Sequence, residues 1–316
     1  MTKKRQQVIE FCSVALIQEL ETLKQTIPLL KKWNKPRTHW IICPSKEVKK
    51  FQKSLNQWKH VQVIDENSII ELDNFRIICN QVLKSRDDLI DINASWYYQQ
   101  VLKLGFCLSR QFTNKTIIIW DADTVPITAI KFVDSKTVRT YGSLAEYEDI
   151  YRLSNQEWLG RDLKPSQYSY ITQFSAITPA VHSSLITSII GEDEKFCQEI
   201  MPEKIARKMM QAVSNLKKPL KNPSFSEYEL IGHVSTSIYG SKQTPILGLR
   251  WEIEGQISRM QIRLLRLMGY KYIAYENRCS QENTQSWQSL LKGIYTSLRQ
   301  ARKIRQASKI RQANER

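Results

Sequence analysis

The chain has 316 residues, of which 41% are hydrophobic and 25% are charged, and its formal net charge is +16. These proportions are typical of a soluble globular protein, and no apolar run approaches the roughly 18 residues of a membrane span. The six cysteines are scattered without a CxxC pair. This spacing argues against a zinc site or a disulfide framework and favours reduced thiols in a cytosol.

The first part of the chain alternates between strand and helix patterns. The N-terminus starts basic and turns apolar like a weak signal peptide. Because Glu10 interrupts the apolar run and no small-residue cleavage site follows, we interpret residues 8–16 as a strand. Residues 17–33 have helical spacing, and Pro28 is expected to kink or divide that helix. The further predicted elements are a strand at 39–44, a helix at 46–58, a strand at 61–66, a helix at 94–110, a strand at 116–120, and a strand, a turn and a helix within 170–185.

The order of these elements predicts the fold class. Strands that alternate with helices indicate a parallel sheet with crossover helices. Continuously apolar strands such as 116–120 indicate a sheet covered on both faces. The spacing shows no linker before about Ser280. We therefore predict one α/β domain over residues 1–280, followed by a basic tail, helical or disordered, over 281–316.

The stretch TIIIWDADTVPI, residues 116–127, places Asp121 and Asp123 directly after a predicted buried strand. In open α/β sheets, ligands bind beyond the carboxyl ends of the strands. Two residues apart in an extended chain, both carboxylates would point to the same side and repel each other. A hard divalent ion such as Mg²⁺ or Mn²⁺, bound at once to substrate phosphates, would neutralise them. The alternative is that the two aspartates cap a turn.

Three segments together resemble a known family. IIIWDADTVPI resembles the Asp-x-Asp segment of GT-A-type glycosyltransferases. SWYYQQVLKLGF (95–106) and SFSEYELIGHV (224–234) resemble the matching segments of a bacterial family of glycosyltransferase-like proteins, largely catalogued as a domain of unknown function. The resemblance covers roughly residues 8–280 and leaves out the tail.

The resemblance implies a GT-A fold, a mixed and mostly parallel sheet flanked by helices, and transfer of a sugar from a nucleotide-sugar donor. It implies that Mn²⁺ or Mg²⁺ bridges the donor diphosphate, that Asp123 contacts the metal, and that Asp121 reaches the ribose or a metal-bound water. A divalent cation would stabilise the nucleoside diphosphate as it leaves. The implied acceptor is a glycan or a lipid-linked sugar in bacterial surface polysaccharide synthesis.

A second acidic cluster begins at Ser226. This serine is predicted to cap a helix, and Glu229 would complete a capping box. The resemblance implies a general base at the start of such a helix, which would accept the proton of the acceptor hydroxyl. We favour Glu227 over Glu229 for that role. His233 is a candidate third metal ligand, and the alternative is an ordinary surface or core histidine.

The helix at 94–110 has two interpretations along its length. Trp96, Tyr97 and Tyr98, with Gln99 and Gln100, are candidates to line the donor or acceptor pocket, because aromatic faces stack on sugars and bases. The apolar residues from Val101 to Phe106 are predicted to pack the helix on the sheet. Gln173, in a later segment, is a candidate to face the acceptor.

Two rival functions remain open. A sugar nucleotidyltransferase would carry a glycine-rich, basic phosphate loop after its first strand, whereas residues 14–25 contain no glycine. A catalytically inactive GT-A-like protein that binds a membrane or nucleic acid would be consistent with the net charge. It would give no reason for Asp121 and Asp123 at a strand end.

Much of the positive charge lies in the tail. Residues 299–316 hold seven basic residues against Glu315, and RQA recurs three times. One interpretation is a solvated extension. Another is attraction to anionic lipid, at about 1 kcal/mol per basic residue, which would hold a cytoplasmic enzyme at the inner membrane face. The tail lacks the aromatic residues that stack on bases, which argues against nucleic acid.

Overall fold

The structure is a computed structural model. It describes residues 8–83, 94–109, 115–134, 137–143, 148–191, 196–216, 223–240, 242–251 and 257–275, together with scattered helical positions between 290 and 306. The strands are β1 (Val8–Val14), β2 (Thr38–Cys43), β3 (Val61–Asp65), β4 (Lys115–Trp120), β5 (Thr124–Pro126), β6 (Val133–Asp134), β7 (Thr137–Val138), β8 (Tyr141–Ser143), β9 (Phe174–Ile177), β10 (Thr244–Ile246), β11 (Gly248–Trp251) and β12 (Tyr272–Tyr275). The helices are α1 (Leu20–Asn34), α2 (Val48–Leu55), α3 (Leu72–Leu83), α4 (Ala94–Leu108), α5 (Asp149–Leu159), α6 (Pro179–Ile190), α7 (Met201–Ser214), α8 (Glu227–Tyr239) and α9 (Arg259–Leu267).

The main sheet has the strand order β3-β2-β1-β4-β9. Its first four strands are parallel, and β9 runs antiparallel to β4. The chain therefore builds the sheet outward from β1 to β3, then returns to place β4 on the other side of β1. The fold is a mixed α/β domain with a mostly parallel sheet flanked by helices, and the predicted fold class is confirmed in this sense.

Both faces of the main sheet are covered, as the continuously apolar strands predict. Ile117 and Ile119 of β4 point into a core shared with α3, α4, α6, α7 and α8. Ile118 and Trp120 point the other way, into a cluster that includes Tyr272 of β12. Helices α1 and α2 pack on β2, also on that second side. The alternation of side chains along a strand explains why one run of isoleucines serves two cores.

Several local predictions differ from the structure. Pro28 does not divide α1, which runs unbroken from Leu20 to Asn34. The proline lies on the exposed side of the helix, where water can satisfy the carbonyl that its missing N–H leaves unbonded. The helix predicted at 46–58 is a 3₁₀ turn over Ser45–Glu47 followed by α2. The helix α3 was not predicted.

A second, smaller sheet has the order β11-β12-β5. It begins directly after the acidic pair, since β4 ends at Trp120 and β5 starts at Thr124. Asp121 and Asp123 thus lie where the chain passes from the main sheet to the second one.

The five cysteines described by the structure, Cys12, Cys43, Cys79, Cys107 and Cys197, are free thiols. Within the same described residues, no helix is both long and apolar enough to cross a membrane. The predicted boundary at residue 280 lies outside these residues. However, Leu290 and Ile294, which we placed in the tail, are buried against Leu249 and Trp251 of β11.

Candidate active site

A cleft of about 250 Å³ opens at the carboxyl ends of β1 and β4. Because β2 lies on one side of β1 and β4 on the other, this is the point where the strand order reverses, and open α/β sheets bind their ligands there. The lining residues are Val14, Glu19, Trp96, Gln99, Gln100, Lys103, Asp121, Ala122, Asp123, Ile171, Gln173, Ser226, Glu227, Tyr228 and Arg250.

Asp121 and Asp123 both line the cleft, but the extended conformation predicted for them is wrong. The N–H of Thr124 donates to the carbonyl of Asp121 at 3.0 Å, which closes a turn. The chain must turn here because it leaves one sheet and enters the next. The N–H of Asp121 donates to the carbonyl of Gln173 at 2.9 Å, and the carbonyl of Asp123 accepts from the N–H of Tyr275 at 3.0 Å. Backbone bonds from two neighbouring segments therefore fix the turn.

Lys103 is a site residue that the sequence analysis missed. Its ammonium lies 2.6 Å from Oδ1 of Asp121 and 2.7 Å from Oε1 of Glu227. Burial disfavours the charged ammonium, but the two carboxylates outweigh burial and raise the pKa of Lys103 above its ordinary value. Lys103 of α4 thus places a positive charge between Asp121 and Glu227, while the predicted divalent ion between Asp121 and Asp123 stays a prediction.

Tyr228 completes the cluster. Its hydroxyl donates to Oδ1 of Asp121 at 2.6 Å, and the Lys103 ammonium lies 4.8 Å from the centre of its ring. Burial, together with the negative charges of Asp121 and Glu227, raises the pKa of Tyr228 well above its usual value. Tyr228 therefore remains a protonated donor at neutral pH.

The start of α8 holds Glu227 in place. Ser226 is the N-cap and accepts from the N–H of Glu229, while the side-chain oxygen of Gln100 accepts from the N–H of Glu227 at 2.9 Å. Burial raises the pKa of Glu227, and Lys103 partly opposes this rise. Gln100, predicted to bind the donor, also lines the cleft and anchors the first turn of the helix.

Glu229 does not face the cleft, although its carboxylate was considered for catalysis. Its Oε1 accepts from the Ser169 hydroxyl at 2.7 Å and from the N–H of Tyr170 at 2.8 Å. The predicted capping box is therefore half formed, since the Ser226 side chain accepts from Glu229 while the Glu229 side chain binds the 169–170 segment. Two residues along a helix turn the side chain by roughly 200°, which separates Glu229 from Glu227.

His233 lies with Glu229 and not with Asp121 and Asp123. Its Nε2 is 3.7 Å from Oε2 of Glu229, and its ring packs edge-on against Tyr170 at 5.0 Å. Burial lowers the pKa of His233 to about 4, and Arg152 adds to the effect. The Glu229 carboxylate is beyond hydrogen-bond distance and does not reverse this. The predicted third metal ligand is thus a neutral histidine that does not line the cleft.

The aromatic residues of α4 divide between the cleft and the core. Trp96 lines the cleft, and its Nε1 donates to the carbonyl of Phe225 at 3.3 Å. Tyr97 and Tyr98 are buried in the core instead, where their hydroxyls bond the N–H of Ser224 and the carbonyl of Ile70. The helical period places them on the side that packs against neighbouring elements.

Two further residues reach the cleft from other segments. The backbone of Gln173 has a φ of 65°, a value that residues other than glycine rarely adopt. Its carbonyl holds the Asp121 turn, and such backbone strain is often found at functional sites. Arg250 of β11 contributes a second cation to the cleft lining.

The cleft residues partly fit a divalent ion. Mg²⁺ is commonly held by one or two carboxylates together with substrate phosphates, and Asp121 and Asp123 supply that kind of donor set. Among the described residues, no three His, Cys, Asp or Glu side chains form a ready metal site. An ion at Asp121 would share this carboxylate with Lys103 and Tyr228, both of which donate to Oδ1.

Comparison with known proteins shows the family. A profile described as "Family of unknown function (DUF6492)" matches residues 15–234, more than half of the chain. The chain belongs to this family. The DUF6492 match spans every residue that lines the cleft except Val14 and Arg250.

Curated proteins and solved structures add little to the DUF6492 assignment. No curated protein matches the sequence. Among solved structures, mouse xyloside xylosyltransferase 1 in its apo form is similar with a TM-score of 0.41 and 8% sequence identity, over 87% of this chain and 100% of the mouse chain. A likeness of that size does not support an inference about function.

Proposed function

We propose that this protein is a glycosyltransferase that moves a sugar from a nucleotide-sugar donor to a glycan or lipid-linked acceptor. One observation carries the proposal: the carboxylates of Asp121, Asp123 and Glu227 line one cleft at the strand-order reversal of an α/β sheet. The resemblance of the segment around Asp121 to GT-A enzymes supports the same reaction class.

The donor would lie along the cleft with its diphosphate near the cations. Lys103 and Arg250 are the basic residues of the cleft lining, and they would offset the negative charge of the diphosphate. Trp96 offers an aromatic face at the cleft for the base or the sugar. A divalent ion held by Asp121 and Asp123, when bound, would neutralise the charge that develops on the leaving nucleoside diphosphate.

Glu227 is proposed as the group that accepts the proton of the acceptor hydroxyl. Its carboxylate lines the cleft, and burial raises its pKa, which makes the ionised form a stronger base. Lys103, 2.7 Å away, favours the ionised form that a base requires. Glu229 is not proposed for this role, because it is not among the cleft-lining residues and its Oε1 accepts hydrogen bonds from Ser169 and Tyr170.

The rival nucleotidyltransferase function has less support. β1 ends at Val14, and the chain enters a 3₁₀ turn over Ile17–Glu19 without a glycine-rich phosphate loop. A place in bacterial surface polysaccharide synthesis, at the inner membrane face and in the cytoplasm, stays part of the proposal. The tail at 299–316 would add electrostatic attraction, although most of it lies outside the described residues.

Ligand binding tests the donor site. We expect nucleoside diphosphates with Mn²⁺ to raise the melting temperature of the parent protein, because a ligand that binds only the native state stabilises it. Asp123→Asn should remove the Mn²⁺-dependent part of this shift. Asp73→Asn, an exposed aspartate of α3, is the control. Asp121→Asn should also remove it but additionally weakens the Lys103 pair, so Asp123→Asn is the cleaner variant. Parent-like shifts in both cleft variants would rule out the proposed donor site.

Turnover tests the role of Glu227. Release of nucleoside diphosphate from a nucleotide-sugar panel should be lost in Glu227→Gln while the donor-induced melting shift is kept, since the change removes a proton acceptor and not a donor contact. Glu229→Gln should retain turnover. The opposite result in the two variants would exchange their roles.

A further inference from the structure

The surface of α9 combines exposed apolar side chains with two exposed arginines. Met260 is 69% exposed and Leu267 is 86% exposed, whereas Leu265 of the same helix is fully buried. Arg259 and Arg263, one turn apart, are also exposed. Helix α9 is therefore anchored on one side and presents large apolar and basic side chains together on the other. A surface that contacts only water rarely has this composition.

The helical positions after residue 290 continue the same surface. Leu290 is fully buried and Ile294 nearly so, in one cluster with Leu265 of α9. Beside these two buried positions, three apolar side chains are exposed at helical spacing. They are Leu291 at 58%, Tyr295 at 66% and Leu298 at 41%. Both helical segments therefore rest on one core and leave apolar side chains in solvent.

The positive charge of α9 and of the later helical positions indicates what kind of partner this surface binds. Residues 257–275 contain four basic and no acidic residues, and residues 290–306 contain no acidic residue either. A second copy of the chain would bring like charges together at this surface and would be repelled. An anionic lipid surface is complementary, because it attracts arginine and lysine while its acyl boundary accepts leucine, methionine and tyrosine.

The surface also lies directly behind the cleft. Strand β11 places Arg250 in the cleft lining, whereas its neighbours Leu249 and Trp251 belong to the cluster under α9 and residues 290 and 294. Adjacent side chains of a strand point to opposite faces. Strand β11, the apolar cluster around Leu249 and Trp251, and α9 itself therefore lie between the candidate active site and the exposed apolar and basic side chains.

We infer that the surface formed by α9 and residues 291, 295 and 298 binds the protein to an anionic membrane. The folded body supplies the apolar contact, and, if the proposed transfer to a lipid-linked acceptor is correct, this contact would hold the enzyme at the membrane that carries the acceptor. The inference concerns membrane binding alone. Vesicle binding requires no donor and no turnover, so its failure is distinguishable from a failure of the proposed glycosyl transfer.

Vesicle co-sedimentation of the full chain tests the inference with two paired variants. The parent should bind vesicles of phosphatidylglycerol and phosphatidylcholine but not pure phosphatidylcholine. Met260→Gln with Leu267→Gln should weaken binding at least about tenfold, because both side chains lose their apolar contact with the lipid. Arg259→Gln with Arg263→Gln should weaken it about 25-fold, at about fivefold for each basic residue near the surface.

Matched controls separate this surface from general charge and hydrophobicity. Ile77→Gln removes a 53% exposed apolar side chain from α3, and Lys49→Gln with Lys50→Gln removes two exposed charges from α2. Each control should change binding less than about threefold at the same lipid composition, because its side chains lie outside the proposed contact.

Two results would overturn the inference. One is parent-like vesicle binding by both double variants, the apolar one (Met260→Gln with Leu267→Gln) and the basic one (Arg259→Gln with Arg263→Gln). The other is a dimer in sedimentation velocity that the Met260 and Leu267 variant dissociates while vesicle binding stays unchanged. That result would assign the surface to a second copy of the chain.

Discussion

Replacing Lys103 with methionine would test the charge balance of the cleft. Methionine keeps much of the length of the side chain but removes the ammonium that lies 2.6 Å from Asp121 and 2.7 Å from Glu227. Removing one partner of a buried ion pair leaves the other charge uncompensated and costs about 3–5 kcal/mol. We expect Lys103→Met to lower the free energy of unfolding at pH 8 by about this amount.

The cost should depend on pH in a defined direction. Burial already raises the pKa of Glu227, and Lys103 opposes that rise, so the variant raises this pKa further. A carboxyl whose pKa is higher in the folded than in the unfolded chain stabilises the fold below the unfolded pKa. This stabilisation is lost as the pH rises through the folded pKa. Lys103→Met should therefore cost less at pH 5 than at pH 8, by about 1 kcal/mol or more.

Urea unfolding followed by tryptophan fluorescence at both pH values measures these differences. Lys24→Met is the control, because Lys24 forms a solvent-exposed pair with Glu21 at 2.7 Å and should contribute no more than about 1 kcal/mol. Adding Glu227→Gln to Lys103→Met should recover about 2 kcal/mol at pH 8, since it removes one uncompensated charge. A Lys103→Met cost as small as that of the control, equal at both pH values, would refute the argument.

The remaining predictions concern the packing around α8. Glu229→Gln should lower the free energy of unfolding by about 1–3 kcal/mol, because its buried carboxylate accepts from Ser169 and Tyr170; chemical denaturation checks this, and an unchanged stability would contradict it. Gly232→Ala should cost at least about 1–3 kcal/mol, since a Cβ would lie 2.1 Å from Cγ of Tyr170. Gly105→Ala would place its Cβ 3.0 Å from Cγ2 of Ile69 and should lower stability less than Gly232→Ala. Thermal melts of both variants check this order.

Local sequence patterns determined most of the main sheet. Strands β1, β2 and β4 are short, largely apolar runs bounded by polar residues and turns, and burial on both faces requires such runs. The position of Asp121 and Asp123 at a strand end follows from the same pattern. The helix start at Ser226 follows from its capping residue. Each of these features depends on neighbours in the sequence, so the sequence alone could predict them.

Helical periodicity places His233 and Lys103 in ways that the sequence also indicates. His233 comes four residues after Glu229, which places the two on the same side of α8 and away from Glu227. This spacing alone therefore disfavours His233 as a ligand of a metal that binds in the cleft with Glu227. A lysine within the apolar run from Val101 to Phe106 was a similar signal, because a charge at a core position usually has a buried partner.

Only the tertiary structure decided the partners of that lysine. Lys103 contacts Asp121, 18 residues away, and Glu227, 124 residues away. Neither distance follows from a local pattern, because both depend on how α4 and α8 pack over the end of β4. The same packing decided which of Glu227 and Glu229 reaches the cleft. Charge neutralisation at this cleft is thus a property of the assembled sheet and helices, since it requires groups from three separate segments to meet.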